Sequence, residues 1–240
     1  MKLFVLRVFF CWFVGILISP GKAQQNLEAH LTEGMKAFRR GDLATAERAF
    51  IDAVDQRPES PEARYWLGVT FMQRRKNIDA EQAFQQAIHL RPRYAEAYNS
   101  LGVLCDRQQL HQRAIAAFEQ SLALTPDHIS ARFNLGLSYL RQKEWQKARS
   151  RFEGVLALQP GHAEARYRLA CIDFEEGNLE QALRQLQSVL LEYPEHSAAR
   201  YQLALTYRRL NQPEQAQAAF QIFERSQAAR VKQKLSLIHI

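Results

Sequence analysis

Apolar residues along the chain fall into two stripes at helical spacing, separated by a short polar turn, and the pair is copied again and again. The first stripe sets a large residue before a small one: Leu67-Gly68, Leu101-Gly102, Leu135-Gly136, Leu169-Ala170 and Leu203-Ala204, with Gly34 opening the series. Three positions further on comes a filler, Phe71, Cys105, Tyr139 and Tyr207, displaced by one residue to Phe38 and Phe174 in the first and fifth copies. The second stripe runs through Ala46, Ala80, Ala114, Ala148, Ala182 and Ala216, and through Phe50, Phe84, Phe118, Phe152, Leu186 and Phe220. Every column steps by 34 residues, a period that marks a solenoid. The pattern predicts an all-α chain of two-helix units, each burying its apolar faces against its neighbours.

The punctuation agrees. Pro58, Pro92, Pro126, Pro160 and Pro194 keep the same step and close each unit, because proline cannot continue the second helix. Gly41-Asp42 and Gly177-Asn178 read as a helix stop followed by a capping residue. At Ser60-Pro61 the next helix restarts, with serine as N-cap and proline at the first helical position. Glycine inside the first stripe costs roughly 1 kcal/mol against alanine, so its presence implies a neighbouring helix at close approach.

These Leu/Gly, aromatic, Ala, Phe and Pro columns together resemble the tetratricopeptide repeat. The resemblance covers six consecutive units without insertion: Leu27–Ser60, Pro61–Tyr94, Ala95–His128, Ile129–His162, Ala163–His196 and Ser197–Arg230. It implies a right-handed superhelical solenoid whose first helices line a concave face and whose second helices line a convex one. Two departures stand out. Arg64, Arg132, Arg166 and Arg200 occupy the place where the family carries Trp or Tyr, which here survives at Tyr98. An arginine there can lay its methylenes across the helix surface and leave its head in water. Ala228 stands where the sixth proline is expected, so the last helix should run on as a cap.

The resemblance also places a ligand groove on the second, fifth, ninth, twelfth and thirteenth positions of each unit. The fifth positions, Leu31, Tyr65, Asn99, Phe133, Tyr167 and Tyr201, are the candidate peptide-binding residues, with Arg107 and Arg141 on the rim. Tyrosine suits this role because its ring offers area while its hydroxyl stays wet. The ninth positions are Met35, Val69, Val103, Leu137, Cys171 and Leu205; Val69, Val103 and Leu137 are expected to pack between adjacent first helices. Glu28, Glu62, Glu96 and Glu164 border one side, and Arg39, Arg107, Arg141 and Arg209 the other. An apolar floor between oppositely charged rims fits an extended or helical peptide. The Lys, Asn and Arg set with which chaperone-tail repeats capture a terminal carboxylate is missing, which argues against an acidic C-terminal tail as ligand.

Composition sharpens the picture. The 240 residues are 47% hydrophobic and 24% charged, as a packed helical protein requires. The formal charge of +7 includes Lys2, Arg7 and Lys22 of the N-terminal segment. The remaining excess forms no dense Lys/Arg run, so a solvated face is expected and no nucleic-acid partner. That segment has a basic start, an apolar run from Val8 to Ile18, and Gly21 and Ala23 at the two positions a signal peptidase reads. It predicts a signal peptide over residues 1–23 and an exported chain, periplasmic or extracellular; the run is short for a bilayer span of about 20 residues. Beyond it only Cys105 and Cys171 remain. With helices packing about 8–10 Å apart they should lie roughly 20 Å apart, past the ~7 Å reach of a disulfide, so both are expected as buried free thiols. Residues Leu235–Ile240 break every pattern before them. One back-translation of them reproduces the transposon-end adapter of a common sequencing-library preparation, so they are expected to be non-native and the solenoid to occupy 24–234.

No nucleophile elbow, phosphate loop, metal-binding histidine pair or dinucleotide fingerprint occurs. His89, His111, His128, His162 and His196 are scattered; the last three share the step of the copied turn. No catalysis, cofactor or metal is therefore expected. The expected function is an exported scaffold binding peptide segments or partner helices during assembly of cell-envelope complexes. Two other readings remain: the recruitment module of a longer enzyme or sensor, and a self-associating structural protein, against which the charged run Glu224–Lys234 argues.

Overall fold

A computed structural model of the chain describes residues 20–238, which form twelve α-helices and no strand. They divide into two compact units, Met1–Leu90 and Arg91–Ile240. The first holds α1 (Pro20–Arg39), α2 (Leu43–Gln56), α3 (Pro61–Gln73) and α4 (Asn77–Leu90). The second holds α5 (Ala95–Arg107), α6 (His111–Leu124), α7 (Ile129–Arg141), α8 (Trp145–Leu158), α9 (Ala163–Glu176), α10 (Leu179–Glu192), α11 (Ser197–Arg209) and α12 (Pro213–Ile238). Within each unit consecutive helices pack on one another, so six helical pairs follow in chain order. The leader expected over residues 1–23 lies outside the described residues except for Pro20–Ala23, which open α1. Among the described residues no helix is long and apolar enough to cross a membrane.

The caps explain where the helices start and stop. Ser60 Oγ accepts the N–H of Ala63 at 3.2 Å and Asp42 Oδ1 that of Thr45 at 3.1 Å. The hydrogen bond of Asp42 holds its carboxyl below the usual aspartate value. Asn178, expected to cap α10, makes no such side-chain bond. Gly41 and Gly177 turn the chain at φ 78° and 85°. Arg75, Gln109, Lys143 and Asn211 hold the same place in the other pairs and take φ of 60°, 62°, 59° and 62° despite their Cβ atoms. The turn is thus left-handed in all six pairs.

The glycine and phenylalanine columns are one contact. A Cβ on Gly34, Gly68, Gly102 or Gly136 would fall 2.6, 2.8, 2.6 or 2.7 Å from the ring of Phe50, Phe84, Phe118 or Phe152. Those four rings are at most 1% exposed, and each burial stabilises the fold by about 1.5–3 kcal/mol. In the fifth pair the small residue is Ala170 and its partner shrinks to Leu186, both fully buried. Around this spine sit the larger cluster of Leu135, Tyr139, Phe152, Val155 and Ile172 in the second unit and that of Ala37, Ala46 and Phe50 in the first. The last helix continues through Ala228 as one piece.

Two expectations need correction. Cys105 and Cys171 are both free, but only Cys105 is buried; Cys171 is half-buried because the ninth position of α9 borders the open face. The displaced filler of the fifth copy, Phe174, is half-buried as Phe38, Phe71 and Tyr207 are, but the slot itself belongs to fully buried Asp173.

Candidate functional site

The first helices carry the candidate residues. In the first unit Leu31 is half-buried and packs on both apolar clusters of α1 and α2. It also lines an open depression of about 370 Å³ with Leu27, Arg57, Pro61 and Glu62. Tyr65 lies edge-on to Trp66, ring centroids 5.4 Å apart, and tilts over Phe84 at 6.1 Å.

In the second unit the corresponding side chains stand on α5, α7, α9 and α11, with α5 touching α7 and α9 touching α11. Asn99 Oδ1 accepts from Asn134 Nδ2 at 3.1 Å. Phe133 tilts over Phe152 at 5.4 Å and stacks on the imidazole of His162 at 5.1 Å. Tyr167 meets His196 at 5.1 Å, and Cys171 stands four residues on along the same helix. Burial pushes the Tyr167 hydroxyl well above its usual range, so it stays a neutral donor. Burial also pushes the Cys171 thiol up. Tyr201, 43% exposed, packs against Phe220 and Phe223 at 5.8 and 5.3 Å. The aromatic fifth positions of this unit thus share one pattern: each lies against a ring from a neighbouring helix or capping turn and keeps part of its own surface open.

The rim is less free than its charges suggest. Arg141 is paired with Asp106 of the preceding first helix. Arg209 donates to the Phe174 carbonyl at 2.6 Å, its guanidinium 4.5 Å over that ring. Glu164 holds Arg168 at 2.6 Å and His196 at 3.2 Å. Arg107 is exposed. In Arg141 and Arg209 the thirteenth position reaches back to the twelfth of the pair before it, tying first helices together.

Several participants carry no clear mark in the sequence. Asn134, His162 and His196 become neighbours of the fifth-position row only through packing between pairs. The one signal available was the common step of the histidines. Asp173, fully buried, is neutralised by Arg149 at 2.7 Å and receives Gln185 Nε2 at 2.7 Å. Among the described residues no group of His, Cys, Asp and Glu is arranged to hold a metal ion.

Residues 31–80 and 70–129 match one family model of the tetratricopeptide repeat, and residues 139–190 and 173–238 match another of the same description. No curated protein matches the chain significantly. Among solved structures, PilF of Pseudomonas aeruginosa is similar with a TM-score of 0.77 at 18% identity, over 85% of this chain and 92% of that one. PilW, a widely conserved type IV pilus biogenesis factor, gives a TM-score of 0.74 at 23% identity over 81% and 90%. YrrB, a repeat protein with an unusual peptide-binding site, gives 0.59 at 20% identity over 74% and 95%. At these identities the likeness is one of fold.

Proposed function

The chain belongs to the tetratricopeptide-repeat family, an interaction-scaffold fold, and from that premise we propose that it is an exported, non-catalytic scaffold holding a peptide segment or partner helix against its first helices. The observation that carries this reading is the row Phe133, Tyr167 and Tyr201 in the second unit. Each ring is seated on one side by a neighbour and open on the other. Such pre-placed rings bury apolar ligand surface while losing little rotamer freedom. Tyr65 and Leu31 play the same part in the first unit. The charged neighbours Arg141 and Glu164 are already paired, which favours an apolar anchor over an acidic ligand; Arg107 supplies an exposed cation of the rim.

Assembly of a cell-envelope complex is the setting we favour. The basic, then apolar, then small-residue order of residues 1–23 supports export, and PilW offers a precedent for this fold in pilus biogenesis. A random phage-displayed peptide pool selected on the full chain supplies the test ligand. Phe133→Ala with Tyr167→Ala, both in the second unit, should weaken the selected peptide at least tenfold, about 1.4 kcal/mol, with helical content kept. Undiminished affinity in the folded double variant overturns the assignment of the face.

A further inference from the structure

We propose that the second unit carries acid-sensitive joints, built from histidines that cap α7, α9 and α11 where Ser60 caps α3 in the first unit. Before α7, α9 and α11 stand His128, His162 and His196. Their Nδ1 atoms accept the N–H of Ala131 at 3.4 Å, Ala165 at 3.1 Å and Ala199 at 3.1 Å. Before α3 the same place is filled by Ser60, whose hydroxyl accepts from Ala63. Before α5 it is filled by Tyr94, with no side-chain cap.

The chemistry differs sharply between the two cap types. An imidazole can cap only while Nδ1 is bare, so the ring proton sits on Nε2. In His196 that nitrogen faces the Glu164 carboxylate at 3.2 Å, consistent with this tautomer. A second proton must go to Nδ1, which then turns an N–H toward another N–H and loses the bond. It also places a full positive charge where the helix end already carries about half of one. Each of these turns holds a guanidinium besides, with Arg132, Arg166 and Arg200 bonded to the carbonyls of Pro126, Pro160 and Pro194. A serine hydroxyl does not titrate, whereas imidazole changes charge between pH 5 and 8.

The groups facing each ring set the balance. His196 meets Glu164 and Tyr167 of α9; the carboxylate would hold the protonated ring at Nε2 but cannot restore the acceptor at Nδ1. His162 meets Phe133 of α7, and among the described residues no carboxylate is hydrogen-bonded to it. Ser130 and Glu96 hold the places before His162 and His128 that Glu164 holds before His196. Because Phe133 and Tyr167 lean on two of these rings, the candidate face should change with the joints; that consequence rests on the function proposed above, and the joints do not.

Residue-level amide exchange by NMR on the full chain tests the proposal, comparing the wild type with His128→Ser/His162→Ser/His196→Ser at pH 7.5 and 5.5. Protection factors, corrected for intrinsic exchange, should fall about fivefold at Ala131, Ala165 and Ala199 in the wild type, while Ala63 stays constant. The serine variant should show no such fall. A wild type in which these amides follow Ala63, or a serine variant with an equal response, overturns the proposal. The single variant His162→Ser perturbs the chain less, and its amide at Ala165 should likewise lose the pH response; a response kept there overturns the proposal too. If protection falls as expected while the selected peptide binds equally at both pH values, the joints stand and the role of the rings in the face is overturned.

Discussion

Arg166 donates to the main-chain carbonyl of Pro160, six residues upstream, at 2.6 Å. Arg64 does the same to Pro58 at 2.9 Å, and Arg132 and Arg200 to Pro126 and Pro194. Two columns that look independent in sequence are thus one device. Proline ends the second helix of a pair and leaves a carbonyl at the closing turn. The arginine at the fourth position of the next first helix binds it. Arg166 also reaches Ser188 and Glu192 on α10, each at 3.1 Å. In the neighbouring pair a Cβ on Gly154 would lie 2.8 Å from the Arg132 guanidinium, so the bare residue leaves room for it. The arginines therefore replace the family's aromatic with a strut that bridges turn and helix.

Arg166→Met should lower the stability of the second unit by about 1–2 kcal/mol, toward the lower end for a bond to a charged group because the pair is partly exposed. Arg166→Lys should recover little of it, because one ammonium cannot serve three acceptors in the guanidinium's geometry. Urea unfolding of the three proteins reads both effects. A fully stable methionine variant would show that the strut carries no load.

Gly102→Leu should be far worse than any surface change. Its first added carbon would already lie 2.6 Å from Phe118, and overpacking of this kind costs about 1–3 kcal/mol or more. The Ala170–Leu186 pair suggests the cure. Gly102→Ala with Phe118→Leu should be more stable than the sum of the two single changes predicts, and a double-mutant cycle by thermal melting measures the coupling.

Gln109→Gly and Lys143→Gly should each stabilise the chain by about 0.5–1 kcal/mol. Both residues hold a left-handed backbone at φ 62° and 59°, which costs a side-chain-bearing residue roughly 1–2 kcal/mol; glycine avoids this at some loss of unfolded-state entropy. A lower melting temperature in either variant would mean that its side chain contributes more at the turn than its backbone costs.

The Cys171 thiol should react slowly with iodoacetamide at neutral pH, since the thiolate is the nucleophile and burial disfavours it. The native rate should keep rising above pH 9.0, where an unperturbed thiol levels off. Tyr167→Phe removes the hydroxyl that favours the thiolate and should displace the profile to still higher pH. A native rate equal to that of the unfolded chain would contradict the burial of this thiol.

The 34-residue step was enough to determine the architecture: six helical pairs, a small residue facing a large one, and a closing proline in the turns that carry one. That much is legible because burial repeats wherever the same unit meets the same kind of neighbour, and a single chain displays the repetition directly. The candidate face was legible in the same way, as a row of fifth positions; its contacts were not. Tertiary structure decided that Asn99 pairs with Asn134, that Phe133 and Tyr167 lean on capping histidines, and that the rim arginines Arg141 and Arg209 tie helices together. It also decided that Asp173 could occupy a slot that Phe71, Tyr139 and Tyr207 fill in other copies, because Arg149 arrives from the preceding pair to neutralise it. A period along the chain records which positions are buried. The polar bonds that complete those positions join groups about 24 to 35 residues apart, and only the packed helices bring their donors and acceptors within reach.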